Sequence, residues 1–260
     1  MVGFAFSPNL KANIYEALRM AHYFGGELVF VHVGRKTPEK ESIFNEIVGS
    51  SPVQSEKISV HWRIGDPVRT LLQASKDFGV DLILLGALKR ENVLKFYLGS
   101  IARKITRKAK CSVLLLINPS VERQPCQHIV VNGLDSPQTK LTIEAAFVVA
   151  NALGVKKISL IEEISRSKVA VAVDDDRSLR RATLKKEKLR RQEQTRVKDV
   201  VQNLSAALTA DVNWTTQSIF GRRGYSIGHY AKLVRADLLV MNAQENLSFI
   251  DRFITRDIEH

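Results

Sequence analysis

The chain has 260 residues, 45% of them hydrophobic and 25% charged, which is ordinary for a soluble globular protein and sufficient for two domains of average size. No apolar run approaches the roughly 20 residues that a membrane-spanning helix needs, and the first residues lack the basic start of a secretory signal. These features predict a cytoplasmic protein. The net charge of +12 fits an anionic partner, such as nucleic acid, a membrane surface or a small ligand, and also fits solubility alone.

Strands and helices alternate along the first half of the chain. An apolar run at Val2–Phe6 is followed by the turn Ser7-Pro8-Asn9 and by a helix that stops at Gly25. The other predicted strands are Leu28–Val33, Ile58–Trp62, Asp81–Leu85 and Ser112–Ile117, and the other predicted helices begin at Pro67 and cover Leu98–Lys108. Residues 34–56 are predicted to be irregular, apart from a short helix around Ile43–Val48. Because the strands are almost continuously apolar, this pattern predicts a parallel sheet covered by helices on both faces.

The order of elements then restarts, which indicates an internal repeat of about 130 residues. We assign residues 1–118 to a first domain, 119–127 to a linker and 128–260 to a second domain. The repeated pieces are the turn Ser136-Pro137-Gln138, the strand Ala236–Met241 opposite Val80–Leu85, and Trp214 at the predicted strand position of Trp62. No later run repeats the strand at Ser112–Ile117, so the second copy is predicted to lack its last strand.

One segment of the first half has the residues of a phosphate site. Gly86 begins a loop that continues through Lys89, and nine residues later Gly99 and Ser100 open a helix. Glycine lets a ligand approach the backbone closely, and the amides at a helix N-terminus bind anions. The carboxyl ends of parallel strands are also where such sheets bind ligands. The alternative is a tight turn followed by a helix start.

This segment resembles the motif Gly-x2-Gly-x9-Gly-Ser/Thr of the universal stress protein family. The preceding strand and the upstream Gly65-Asp66-Pro67 loop are also similar, and the resemblance covers most of both halves. It implies two tandem doubly wound α/β domains of the adenine nucleotide alpha hydrolase-like fold, with ATP or another adenine nucleotide as ligand. It further implies a pseudo-dimer within the chain, and it leaves a homodimer and a membrane-protein partner open.

The resemblance implies specific ligand contacts, although several positions depart from the family pattern. The phosphates would lie over Gly86, Lys89, Gly99 and Ser100, and the adenosine beside Ala5, Phe6, Ser7 and Val33. Lys89 replaces the second glycine of the motif, and Ala5 replaces an aspartate. In the second copy, Asn242, Arg252 and Phe253 replace the glycines and the serine, so we predict that this copy binds no nucleotide.

A basic segment at Arg177–Lys198 follows three aspartates, which favour a helix N-terminus. It is predicted to be a solvated helix that packs one face on the sheet. The alternative is a patch that faces nucleic acid or membrane headgroups. No aromatic residue lies in the run, so base stacking is disfavoured and nucleic acid is not the expected partner.

The sequence contains no set of residues that indicates catalysis or metal binding. The histidines lack metal-ligand spacing, Cys111 and Cys126 have no CxxC or Cys/His pattern, and GxSxG and GxxxxGK[ST] motifs are absent. The sequence therefore predicts a non-enzymatic binding or signalling module of the stress response. The alternatives are the cytosolic regulatory domain of a membrane transporter and a nucleic-acid-associated basic protein; an ATP-using enzyme is disfavoured.

Overall fold

A computed structural model describes residues 1–55, 57–87, 99–165, 168, 174–221 and 225–242. The chain divides into two compact units. Unit 1 runs from Met1 to Gln124, and unit 2 begins at Pro125. Within the described ranges, no helix has both the length and the apolar character of a membrane span.

Unit 1 is a five-stranded parallel sheet with the strand order β3-β2-β1-β4-β5. Its strands are β1 (Val2–Phe4), β2 (Leu28–Val33), β3 (Ile58–Arg63), β4 (Leu82–Gly86) and β5 (Ser112–Leu116), and its helices are α1 (Leu10–Phe24), α2 (Pro38–Gly49), α3 (Pro67–Asp77) and α4 (Ser100–Lys108). Helices α1 and α2 pack on one face of the sheet, and α3 and α4 pack on the other.

Local signals define the ends of several of these helices, as the sequence predicted. Gly25 ends α1 in the left-handed conformation, with φ of 60°, which glycine adopts without a steric penalty. Helix α3 begins at Pro67, and the side chain of Asp66 accepts a hydrogen bond from the Arg69 amide at 2.9 Å. These ends place α1 and α3 on opposite faces of the sheet.

Unit 2 repeats this arrangement with four described strands, in the order β8-β7-β6-β9 and all parallel. Its strands are β6 (His128–Asn132), β7 (Lys157–Ser165), β8 (Asn213–Gly221) and β9 (Leu238–Val240), and its helices are α5 (Thr139–Leu153), α6 (Asp176–Gln202), α7 (Ala206–Thr209) and α8 (Tyr225–Leu233). Because β8, β7, β6 and β9 follow the order of β3, β2, β1 and β4, the prediction of two tandem doubly wound α/β domains is confirmed.

Two local predictions for the first half were wrong. Strand β1 ends at Phe4, so Ala5 and Phe6 follow the strand rather than belong to it. The segment after β2 contains a 12-residue helix, α2, where the sequence predicted mostly irregular structure. Thr37 caps this helix by accepting a hydrogen bond from the Lys40 amide at 3.3 Å, and the proline at its first turn favours helix initiation.

The two tryptophans do not occupy equivalent strand positions, contrary to the prediction. Trp62 pairs with His32 near the carboxyl end of β3, whereas Trp214 pairs with Ile158 near the amino end of β8. Alternation along a strand shows which side chains share a face, but it does not determine the register between strands.

Candidate functional site

The parallel strands bring most of the predicted nucleotide contacts of unit 1 to one edge of the sheet. Ala5, Phe6 and Ser7 follow β1, while Val33 and Gly86 are the last residues of β2 and β4. Because Phe4 pairs with His32, and Gly3 with Leu85, the chain leaves these three strands at nearly the same level. Gly99 and Ser100 begin α4, and Lys89 lies outside the described residues.

Gly86 is closely covered by the side chain of Asn13 from α1. A Cβ atom at position 86 would lie 2.5 Å from Nδ2 and 2.9 Å from Oδ1 of Asn13. Within the described residues, this Oδ1 atom is buried and has no hydrogen-bond partner. A buried amide without its full set of partners is uncommon, since leaving such a group unpaired costs about 1–3 kcal/mol. A cradle that only glycine leaves open, next to an unpaired amide, fits the phosphate end of a nucleotide.

The N-terminus of α4 is a second group of donors on the phosphate side. Gly99 is the N-cap residue, and no side chain among the described residues caps the helix. The first turn contains no acidic residue, and Ser100 is exposed. The first amides of a helix lack intrahelical acceptors and carry partial positive charge, so this end is suited to an anion.

Five aromatic side chains cover the adenosine side of the same edge, and the sequence analysis did not identify this arrangement. This aromatic cluster consists of Phe4, Phe6, His32, Phe44 and Trp62. The rings of Phe6 and Trp62 are stacked, with centroids 6.1 Å apart and an interplanar angle of 19°. His32 is buried, and its Nδ1 atom lies 3.0 Å from the carbonyl oxygen of Phe4. The edge therefore offers a flat aromatic surface, and Ala5 supplies no carboxylate for ribose hydroxyls.

Unit 2 has a buried charged cluster at the matching edge. Glu162 on β7 is only 2% exposed, and its Oε1 atom lies 2.5 Å from Nη2 of Arg196 on α6. Arg196 also contacts Glu193 at 3.0 Å and Asp135 at 4.0 Å, and it donates to the carbonyl oxygen of Gly133. One guanidinium thus joins α6 to three carboxylates and to the end of β6.

The repeat shows which residues this charged cluster replaces. Counted from the two Ser-Pro turns, Gly133 is the counterpart of Phe4, and the strand registers then match Glu162 with His32 and Ser218 with Trp62. A row of three aromatic side chains in unit 1 is therefore a glycine, a carboxyl and a hydroxyl in unit 2. A Cβ atom at Gly133 would lie 3.2 Å from Cγ of Glu162, so the charged cluster is packed tightly against the backbone.

The phosphate side of unit 2 also differs from that of unit 1. Asn242 occupies the position of Gly86, and both polar atoms of its amide are buried without a partner among the described residues. Arg252 and Phe253 lie outside the described residues. The prediction that this copy binds no nucleotide remains a prediction, and it now rests on Asn242 and the charged cluster.

Burial raises the pKa of Glu162 to about 8, although the Arg196 guanidinium opposes this shift. An unfolded glutamate has a pKa of about 4.3, so at intermediate pH the folded unit holds a proton that the unfolded chain releases. The stabilising effect of this proton is complete below the unfolded pKa and is lost as the pH rises through the folded one.

We therefore expect the free energy of unfolding of unit 2 to fall by about 1–3 kcal/mol between pH 5 and pH 9, relative to Glu162→Gln. Urea titrations of both proteins across this range would measure the difference. Glu187→Gln, which changes an exposed carboxylate of α6, is the control and should keep the wild-type pH dependence. The same pH dependence in wild type and Glu162→Gln would contradict a raised pKa at this residue.

Comparison with known proteins gives a family match and a whole-chain likeness in fold. Residues 51–116 match the model of the universal stress protein family. A universal stress protein of Synechocystis sp. is 24% identical over 92 residues, which are 35% of this chain and 58% of that relative. The chain therefore spans little more than half the length of this curated relative.

Solved structures extend the likeness in fold to both units. A universal stress protein from Archaeoglobus fulgidus matches with a TM-score of 0.67 at 16% identity, covering 100% of this chain and 91% of the other. A functionally unknown protein from Pseudomonas aeruginosa PAO1 matches with a TM-score of 0.65 at 13% identity, covering 99% and 85%. At these identities the structures establish the fold alone. The family match covers the segment from β3 to β5, which includes Gly86, Gly99 and Ser100.

Proposed function

We propose that this chain is a tandem universal stress protein, which acts as a binding and signalling module in the stress response and not as an enzyme. The family match over residues 51–116 supports the assignment for unit 1. The repeated strand order supports its extension to unit 2. Its two units differ at the ligand-binding edge, and only unit 1 retains a site for a nucleotide.

The proposed ligand of unit 1 is an adenine nucleotide, and the observation that carries this proposal is the cradle at Gly86. The side chain of Asn13 covers this glycine and has an unpaired buried oxygen, so its amide is available to a phosphate group. Gly99 and Ser100 would contribute the uncapped amides of α4, with Lys89 as an additional positive charge. The nucleotide supplies the anionic phosphates that these donors bind.

The adenosine would lie beside Phe6, Ser7 and Val33, next to the aromatic cluster. Aromatic rings favour contact with a flat base. Ala5 lacks the carboxylate of the family pattern, and the loss of one hydrogen bond to a charged group weakens binding by about 1–3 kcal/mol. We therefore propose weak binding by unit 1.

The absence of catalysis is part of the same proposal. His32, the histidine nearest to the site, is buried among aromatic rings, and one of its ring nitrogens lies against the Phe4 carbonyl oxygen. Among the described residues, no three histidine, cysteine or acidic side chains form a group that could hold a metal ion. These observations favour a binding role over an acid–base or metal-assisted reaction.

Replacing Gly99 by valine should weaken ATP binding at least tenfold, because a branched side chain at the N-cap would occupy the space over the first amides of α4. Isothermal titration calorimetry of the purified chain with ATP would measure this effect. Gly49→Val is the control, since a Cβ atom at Gly49 meets nothing within 4 Å. Binding that is tight and equal in wild type and Gly99→Val would place the nucleotide elsewhere. Mass spectrometry of nucleotide released from the purified protein would identify the ligand that it retains.

A further inference from the structure

Helix α6 extends well beyond the part that packs on the sheet of unit 2. Near its C-terminal end, Val197 and Val201 are buried in the same core as Val212, which lies just before β8. Nearer its N-terminal end, the guanidinium of Arg190 lies 5.7 Å from the ring centre of Phe220, at the carboxyl end of β8. The 14 residues from Asp176 to Leu189 lie further along the helix axis, past this strand end. At 1.5 Å per residue they extend about 21 Å.

This projecting part of α6 carries a large share of the positive charge. We call residues 176–191 the basic arm; it contains eight lysines and arginines and two acidic residues, a net charge of +6 out of the +12 of the whole chain. Glu187 pairs with Arg190 and Arg191. The other six cations of the arm make no ion pair with another described residue, and all six are exposed: Arg177, Arg180, Arg181, Lys185, Lys186 and Lys188.

The positive charges are spread around the helix and do not form one narrow stripe. With about 100° per residue, Arg177 and Lys188 lie along the middle of the outer face. Arg181 and Lys185 lie on one side of that line, and Arg180 and Arg191 lie on the other, so the basic residues span an arc of about 140°. A flat surface would meet only part of this arc, whereas a groove with phosphates on both walls would meet all of it.

The apolar residues of the arm argue against a membrane as the partner. Helices that bind at a lipid interface have a continuous apolar face that enters the acyl region. The exposed apolar side chains here are Leu179 and Leu184, which are 53% and 70% exposed and lie about 140° apart around the helix. Leu184 instead lies in the middle of the basic face, between Arg177 and Lys188.

We propose that the basic arm binds duplex DNA, with the helix in the major groove and its flanking cations on the phosphates of both walls. The major groove is about 12 Å wide and admits an α-helix, whereas the major groove of A-form RNA is too narrow. The arm contains no aromatic residue on which bases could stack, so a single strand is not the expected ligand. The expected binding is directed to the DNA backbone, with little sequence preference.

The test is fluorescence anisotropy of a labelled 20-base-pair DNA duplex titrated with the full chain at several salt concentrations. If the arm neutralises about five phosphates, the plot of log K against log salt should have a slope of roughly −4 to −5. The triple variant R181E/K185E/K188E should bind at least thirtyfold more weakly, with a slope shallower by about 3. The control K140E/K156E/K232E makes the same change in net charge at exposed positions of unit 2 outside α6, and it should bind within about threefold of wild type.

Three results would overturn the proposal. Equal weakening by the two triple variants would mean that net charge alone attracts DNA. Equal or tighter binding of a single-stranded 20-mer would remove the groove. Stronger arm-dependent binding to vesicles with 30% phosphatidylserine than to duplex DNA would assign the arm to a membrane. R181Q/K185Q/K188Q, checked with R181E/K185E/K188E by circular dichroism, separates loss of contacts from loss of folding and should also bind more weakly. ATP binding by unit 1 does not enter this experiment, so either proposal can fail without the other.

Discussion

Replacing Phe44 by alanine should lower the free energy of unfolding of unit 1 by about 3–5 kcal/mol, the usual range for a fully buried phenylalanine. Phe44 is 2% exposed and is the buried residue through which α2 packs on the sheet. Its ring centroid lies 5.1 Å from those of both Phe4 and Phe30. The substitution would leave a cavity next to the aromatic cluster and would loosen the helix that covers this edge.

The tryptophans make the measurement specific, because each unit contains one of the two. In a Trp214→Phe background, the fluorescence of Trp62 reports unit 1 alone during urea unfolding. Ile43→Ala is the matched control, since Ile43 is the residue before Phe44 and is 45% exposed; its effect should be within about 0.5 kcal/mol. A loss for Phe44→Ala as small as for Ile43→Ala would mean that α2 is not anchored through this ring.

Local signals in the sequence predicted much of the fold. The bounds of β2, the end of α1 at Gly25, the start of α3 at Pro67 and the start of α6 after the aspartates all follow from residue types with strong positional preferences. In α6, Asp175 forms a capping box with Ser178. Helix α2 lacked such a pattern, because a single buried phenylalanine does not produce a periodic apolar stripe.

The chemistry of the candidate sites was less accessible from sequence. Gly86, Gly99 and Ser100 could be identified because one motif contains all three. Asn13 could not, because it reaches Gly86 from a helix more than 70 residues earlier in the chain. The pairing of Glu162 with Arg196 likewise depends on how α6 is rotated on the sheet and on the register of β7, which a periodic pattern does not determine.

Replacing Arg196 by methionine should destabilise unit 2 by about 2–3 kcal/mol at pH 7, somewhat below the usual effect of breaking a buried ion pair. Methionine keeps much of the arginine's length but donates no hydrogen bond to Glu162 or to the carbonyl oxygen of Gly133. The cost is limited at pH 7 because burial raises the pKa of Glu162 to about 8, so the carboxyl can remain neutral. The pKa should rise further without the guanidinium, and at pH 9 the unit must either bind a proton or bury a charge.

The destabilisation by Arg196→Met should therefore be larger at pH 9 than at pH 7, as followed by Trp214 fluorescence in a Trp62→Phe background. Arg191→Met is the control: it lies on the same helix, is exposed, and pairs with Glu187 at 3.0 Å, so its loss should cost less than about 1 kcal/mol at either pH. The double variant R196M/E162L should recover most of the stability, since it removes the unpaired carboxyl as well. If Arg196→Met cost no more than Arg191→Met, or if the double variant recovered nothing, the charged cluster would not be what joins α6 to the edge of this sheet.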